Sequence, residues 1–183
     1  MASVLQRLRQ GLEALSPRLP GGLNELLTTR LTPAQIAAFQ RLPIHDQAHL
    51  CRVCRTLLDR GVHDPDLLAA ALLHDLGKVG TDGRVRLIDR VLRVVLARTC
   101  PALLLRLAAD PAPRWRTGLA RAVHHPQLGA ARAAALGCSA RTCWLIAHHH
   151  DRPLPDDDAL RLLVAADEAA DHAPPVRRTL PAW

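Results

Sequence analysis

The chain has 183 residues, 49% of them hydrophobic but only 2% aromatic, with 14 prolines, 10 glycines and a formal net charge of +7. That length suits one domain with short extensions, and five cysteines, an odd number in a chain of this size, give no disulfide framework. With no Tyr, one Phe and three Trp, the chain has few stacking platforms for single-stranded nucleic acid; its scattered positive charge reads first as a solvated arginine-rich surface, and an anionic substrate or an anionic membrane surface could also exploit it.

Residues 1–31 read as an N-terminal extension. Val4, Leu5, Leu8, Leu12 and Leu15 make a weakly amphipathic stretch beside Arg7 and Arg9, broken at Ser16-Pro17 and Pro20-Gly21-Gly22. The stretch is too short and too charged to span a bilayer. No signal peptide is recognised, and the expected setting is reducing and cytoplasmic. Thr32-Pro33 sets an N-cap before proline at the first helical position, which predicts a helix over 33–40. A second helix over 43–61 carries His45, His49, Cys51 and Cys54, the cysteines reading as small core residues on one face. Asp64-Pro65 repeats the start signal. The helix it opens, 66–76, is apolar nearly all round and belongs at the centre of a bundle. His74 and Asp75 fall on its last turn, with Gly77 as terminator.

Residues 84–98 read as a basic amphipathic helix in which Arg84, Arg86, Arg90, Arg93 and Arg98 alternate with Val85, Ile88, Val91, Leu92 and Val95. With a short helix over 102–109 it forms an insert, about 84–110. Its arginines face outward or toward an anionic ligand; alternatively, the helix makes a peripheral contact with an anionic membrane. A helix over 115–124 stops at Pro126, and another over 128–136 runs to Gly137. Ser139 caps a helix ending in His148-His149-His150-Asp151, and Asp158 caps the last, 159–172, which holds Asp167 and Asp171. Residues 176–183 are a tail. With no strand-period alternation and no internal repeat, the fold class is all-α, a compact helical bundle over 32–175.

Seven polar residues are embedded in this apolar helical context: His49, His74, Asp75, His125, His149, His150 and Asp167. Burying such groups costs free energy unless each finds a partner. One buried His is ordinarily satisfied by a backbone carbonyl, and one Asp is ordinarily solvated. Seven in a small domain, among them the adjacent pair His74-Asp75, point to divalent metal, with Fe, Mn, Zn, Ni or Mg as candidates. That many ligands exceeds one ion's share and fits two ions bridged by a carboxylate, with Asp75 the natural bridge. Such a pair lowers the pKa of a bridging water and clamps phosphoryl oxygens. Lys78, the only lysine among 24 Lys and Arg residues, lies one turn beyond His74. Its ammonium is placed to reach phosphoryl oxygens. His45 shares a face with His49 and either ligates or lines the pocket. Asp171 either supports a ligand or is exposed. His63, His124, His148 and His172 are bystanders.

The order His … His-Asp … Asp, carried by His49, His74, Asp75 and Asp167, resembles the HD-domain metal-dependent phosphohydrolases, an all-helical superfamily. His74-Asp75-Leu76-Gly77-Lys78 is similar to its HD-x-G-K form and His125-Pro126-Gln127-Leu128-Gly129 to H-P-x-x-G. His149-His150-Asp151 is similar to H-H-E, and Ala166-Asp167-Glu168 to the closing A-D motif. The set resembles the HD-GYP branch, whose members hydrolyse cyclic di-GMP with two or three metals. That resemblance implies His125 and His149 on a second metal and His150 on a third. Two features depart from it. Asp151-Arg152-Pro153-Leu154-Pro155 follows His150 in place of Gly-Tyr-Pro, and His45 stands where a glutamate often precedes the first histidine. The resemblance implies a phosphohydrolase acting on a nucleotide-like phosphomonoester or phosphodiester, with Asp75 and Lys78 as catalytic groups. The rival expectation is a non-enzymatic signalling or ligand-sensing module on the same scaffold.

Overall fold

Three helix starts carry the signals that their sequences predict, and a fourth differs by one residue. Thr32 and Gln35 close a capping box around a first-turn proline. Asp64 Oδ1 accepts from the Asp66 and Leu67 N–H groups at 2.9 and 3.2 Å. Ser139 Oγ accepts from the Thr142 N–H at 2.9 Å. The last helix is capped by Asp157 rather than Asp158, its Oδ1 accepting from the Leu160 N–H at 2.9 Å.

The computed structural model describes residues 21–80, 83–109 and 113–172. Over these the fold is all-α, with helices α1 (Leu23–Thr28), α2 (Pro33–Gln40), α3 (Ile44–Asp59), α4 (Pro65–Leu73), α5 (Leu87–Thr99), α6 (Pro101–Ala108), α7 (Thr117–Ala135), α8 (Ala140–His148) and α9 (Asp158–His172). The expected amphipathic stretch within residues 1–20 and the tail 176–183 lie outside the described residues.

Helix α4 is the axis of the bundle. Leu67, Leu68, Ala70, Ala71, Leu72 and Leu73 are all buried, so it has almost no solvent face. Helices α3, α8 and α9 pack around it, contributing Leu50, Leu57, Leu145, Ile146, Leu160 and Leu163, each fully buried. Each such side chain contributes roughly 1.5–3 kcal/mol of transfer free energy. Leu26, Leu27 and Leu31, from α1 and the turn after it, belong to the same core. Cys51 and Cys54 are buried within it as free thiols, as expected. The insert packs separately: Leu96 of α5 and Leu104 of α6 meet Leu119 of α7 in a small second core.

Three elements differ from the sequence expectation. Helix α4 ends at Leu73 rather than 76, and Leu76–Lys78 form a 3-10 turn. A two-stranded antiparallel hairpin, β1 (Val79–Gly80) with β2 (Gly83–Arg84), follows. Two residues per strand are too few to register as alternation. The predicted break at Pro126 does not occur, and α7 runs unbroken through it. Among the described residues, no helix is long and apolar enough to cross a membrane.

Candidate metal centre

Helices α4 and α8 each have nine residues. Their first turns are pinned together, because Asp66 Oδ1 accepts from Ser139 Oγ at 2.5 Å and from Thr142 Oγ1 at 2.9 Å. Equal helices tied at one end finish level at the other. Their C-caps are His74 and His149, and the two rings lie 4.9 Å apart. The end of a helix leaves its last carbonyls without N–H partners, and both histidines exploit this. His74 Nδ1 donates to Ala71 O at 3.2 Å and His149 Nδ1 donates to Ile146 O at 2.7 Å.

His125 reaches the same arrangement from inside α7. Residue 126 is proline and has no N–H, so the Ala122 carbonyl, one turn back, lacks its helical donor. His125 Nδ1 supplies one at 3.0 Å. The side chain thus repairs the gap that led to the predicted break. Pro126→Ala restores a competing backbone donor, and metal affinity is expected to fall by about tenfold, as when the support of a ligand is disturbed. The thermal midpoint should hold or rise. Calorimetric metal titration beside a melting curve checks both, and unchanged affinity would refute the link.

In all three rings Nδ1 is used by a carbonyl and Nε2 is turned inward. His74, His125 and His149 Nε2 are buried without a hydrogen-bond partner. Orphaned buried nitrogens require an explanation, and a cation meets three of them at once. Two ligand groups converge: His49, His74 and Asp75, and His125, His149 and His150, with ligand atoms within 4.8 Å of one another in each. Asp75 Oδ1 stands 3.9 Å from His74 Nε2 and 3.7 Å from His125 Nε2, between the two groups. Asp167 comes from α9, which packs on α3. Its Oδ1 accepts from His49 Nε2 at 2.7 Å and lies 3.4 Å from His74 Nε2. All seven expected residues therefore meet.

Electrostatics keep most of the imidazoles ready. Burial pushes His125 and His149 down to about 3, so both are neutral ligands at ordinary pH. Burial alone would depress His74 as well, but the Asp75 and Asp167 carboxylates overcome it and raise its pKa. Burial alone would raise Asp75. Lys78, with Nζ 2.5 Å from Oδ2, and then His74 hold it well below the usual carboxylate range. A cation binding here displaces the proton that these carboxylates favour on His74.

The 3-10 turn is fixed by backbone contact with α7. A Cβ on Gly77 would lie 2.0 Å from His125 O, and one on Gly129 would lie 3.2 Å from His74 O. The glycines let the two ligand-bearing segments touch. Arg132 Nη1 donates to Leu76 O and Val79 O at 3.3 and 3.0 Å, and Arg121 Nη1 to Gly77 O at 3.0 Å.

The centre opens into a cavity of about 380 Å³ whose wall carries Lys78, Arg52, Arg90 and Arg93. Sequence reasoning missed Asp46. It is buried, and both its oxygens accept from Arg90 Nη2, at 2.8 and 3.1 Å, which fixes that guanidinium at the cavity wall. Arg93 Nη1 lies 3.4 Å from His150 Nδ1. The available signal was an aspartate in the first turn of a helix bearing His45 and His49, which looks like an ordinary N-terminal acid. His45 lines the cavity and belongs to neither ligand group, its Nε2 being 3.2 Å from Arg90 Nη2. Asp171 is largely exposed, yet its Oδ1 lies 3.3 Å from His49 Nδ1. His124 and His148 point elsewhere, to Ala108 O and Trp144 O.

No family model, curated protein or solved structure matches this chain.

Proposed function

We propose that the chain is a metal-dependent phosphohydrolase of the HD-domain kind, cleaving a small, nucleotide-like phosphomonoester or phosphodiester. The observation that carries this reading is the pair of His/Asp groups meeting at Asp75, with three orphaned Nε2 atoms, at the floor of a cavity walled by cations. His49, His74, Asp75 and Asp167 would hold one ion and His125, His149 and His150 a second, with Asp75 shared. Bound divalent ions supply Lewis acidity and a nucleophile at neutral pH. The chain's own residues do the rest. The carbonyl bonds at Nδ1 fix the ring orientations. Lys78 and Arg93 offset charge on the phosphoryl oxygens, and Asp46 holds Arg90 in place to orient the substrate. A cavity of this size fits a ligand of nucleotide dimensions.

The test is reconstitution with Mn²⁺ or Fe²⁺ and assay against a panel of phosphomonoesters and phosphodiesters. Hydrolysis should appear with metal, vanish with chelator and return on metal addition. Metal uptake without turnover of any panel member would give preference to the rival reading, a non-enzymatic ligand-sensing module.

A further inference from the structure

Helix α5 has two faces with different partners. Asp89 and Leu96 turn inward onto α7, and Arg90 and Arg93 border the cavity, with Val94 at the edge between the two faces. Around the rest of the helix, Leu87, Ile88, Val91, Leu92, Val94 and Val95 are 78, 63, 49, 38, 47 and 49% exposed. At 3.6 residues per turn these six fall within roughly half the circumference. Leu103 and Leu105 of α6 add 40 and 65%. Trp115 is 71% exposed on the neighbouring turn, where Arg116 Nη1 donates to Leu107 O of α6 at 2.8 Å. Six exposed aliphatic side chains on one half of α5 mark a docking surface, with the exposed side chains of α6 and Trp115 on neighbouring segments.

Charge selects the occupant. Residues 83–109 hold six arginines and one acid, Asp89, and that acid is buried and accepts from Arg86 N–H at 2.8 Å. Pairing this face with a second copy would set Arg98 against Arg98 or against Arg84, neither of which has a carboxylate partner among the described residues; Arg86 is already offset, its Nε lying 3.3 Å from Asp89 Oδ2. Anionic headgroups complement the same arginines, and an exposed indole suits the headgroup layer. We propose that the α5–α6 face lies on an anionic bilayer, in its plane and without crossing it. The inner edge of this face is the cavity wall. If the phosphohydrolase reading holds, on which this clause rests, the substrate is an amphiphilic phosphate ester taken at the membrane surface.

The test is co-sedimentation of the full chain with vesicles of phosphatidylcholine alone or mixed with phosphatidylglycerol. Binding is expected on the mixed vesicles and is expected to weaken severalfold when salt is raised to about 0.5 M. Ile88→Glu with Val95→Glu, two exposed positions outside the metal centre, should lower partitioning by about tenfold while leaving any turnover of a soluble phosphodiester unchanged. Arg98→Glu should reduce binding to mixed vesicles without disturbing the aliphatic face. Absence of vesicle binding would overturn the proposal, as would equal binding to neutral and anionic vesicles. So would a stable dimer that the double variant dissociates. Vesicle binding by a protein that hydrolyses nothing upholds docking and sinks the phosphohydrolase reading alone.

Discussion

Asp75→Asn is expected to fold, to lose bound metal and to lose hydrolysis by about a hundred- to a thousandfold, the scale set by removing a group on which charge stabilisation depends. Asparagine keeps the shape and one oxygen for Lys78 but removes the charge that both ligand groups share. Asp75 is 1% exposed, within 4 Å of His74 and His125 Nε2, and 2.5 Å from Lys78 Nζ. Asp75→Ala goes further. It strips the Lys78 ammonium of its partner, which costs up to about 3–5 kcal/mol for a wholly buried pair. Lys78 is 20% exposed and can turn toward water, so the loss should fall below that range. The contrast between the two variants separates charge from packing. Mass-spectrometric metal analysis, phosphodiester turnover and circular dichroism on the same samples decide the matter. Full metal content in a folded Asp75→Asn protein would remove Asp75 from the centre, and retained turnover would remove the metal from the reaction.

The ligand set was legible because its signal is physical and local. A histidine or aspartate inside a leucine- and alanine-rich helix is costly unless used, and each of the seven stands in such a context. The cation wall was not legible. Arg90 and Arg93 differ from Arg98 only in their angle around α5, which is set by Gly118, Leu119 and Asp89 at the contact with α7. No periodicity rule ranks one arginine of an amphipathic helix above another. Asp46 was hidden for a related reason: its partner lies 44 residues away. Pro126 misled for the opposite reason. The rule that proline ends a helix counts only the missing N–H and the clash, and omits a neighbouring side chain able to serve the stranded carbonyl. Helix content and order followed from caps and first-turn prolines, which act within four residues. The hairpin at 79–84 depends on tertiary placement of two residues per strand and left no pattern to read.

That contact between segments leads to the second large effect. Gly77→Ala places a methyl 2.0 Å from His125 O and 2.7 Å from Gly129 N, both backbone atoms of α7. Neither can swing aside as a side chain would. Either the 3-10 turn lifts off α7 or α7 shifts, and in both cases His74 and His125 separate. Overpacking of this kind costs about 3 kcal/mol, which for a chain of this length lowers the thermal midpoint by roughly 6–12 °C. Gly129→Ala is the calibrating neighbour. Its new methyl would meet His74 O at 3.2 Å, Ile146 Cγ2 at 3.2 Å and Gly77 N at 3.3 Å, so a displacement of a few tenths of an ångström relieves it. About 1 kcal/mol is expected there, at the low end for an inserted methyl. Thermal denaturation in the presence of chelator measures both without a contribution from metal, and titration with Mn²⁺ then shows whether affinity falls in the same order. If Gly77→Ala melts with the wild-type protein and binds metal equally well, the spacing between His74 and His125 is not set by backbone contact, and the support of the centre has to come from the Arg121 and Arg132 bonds to the turn instead.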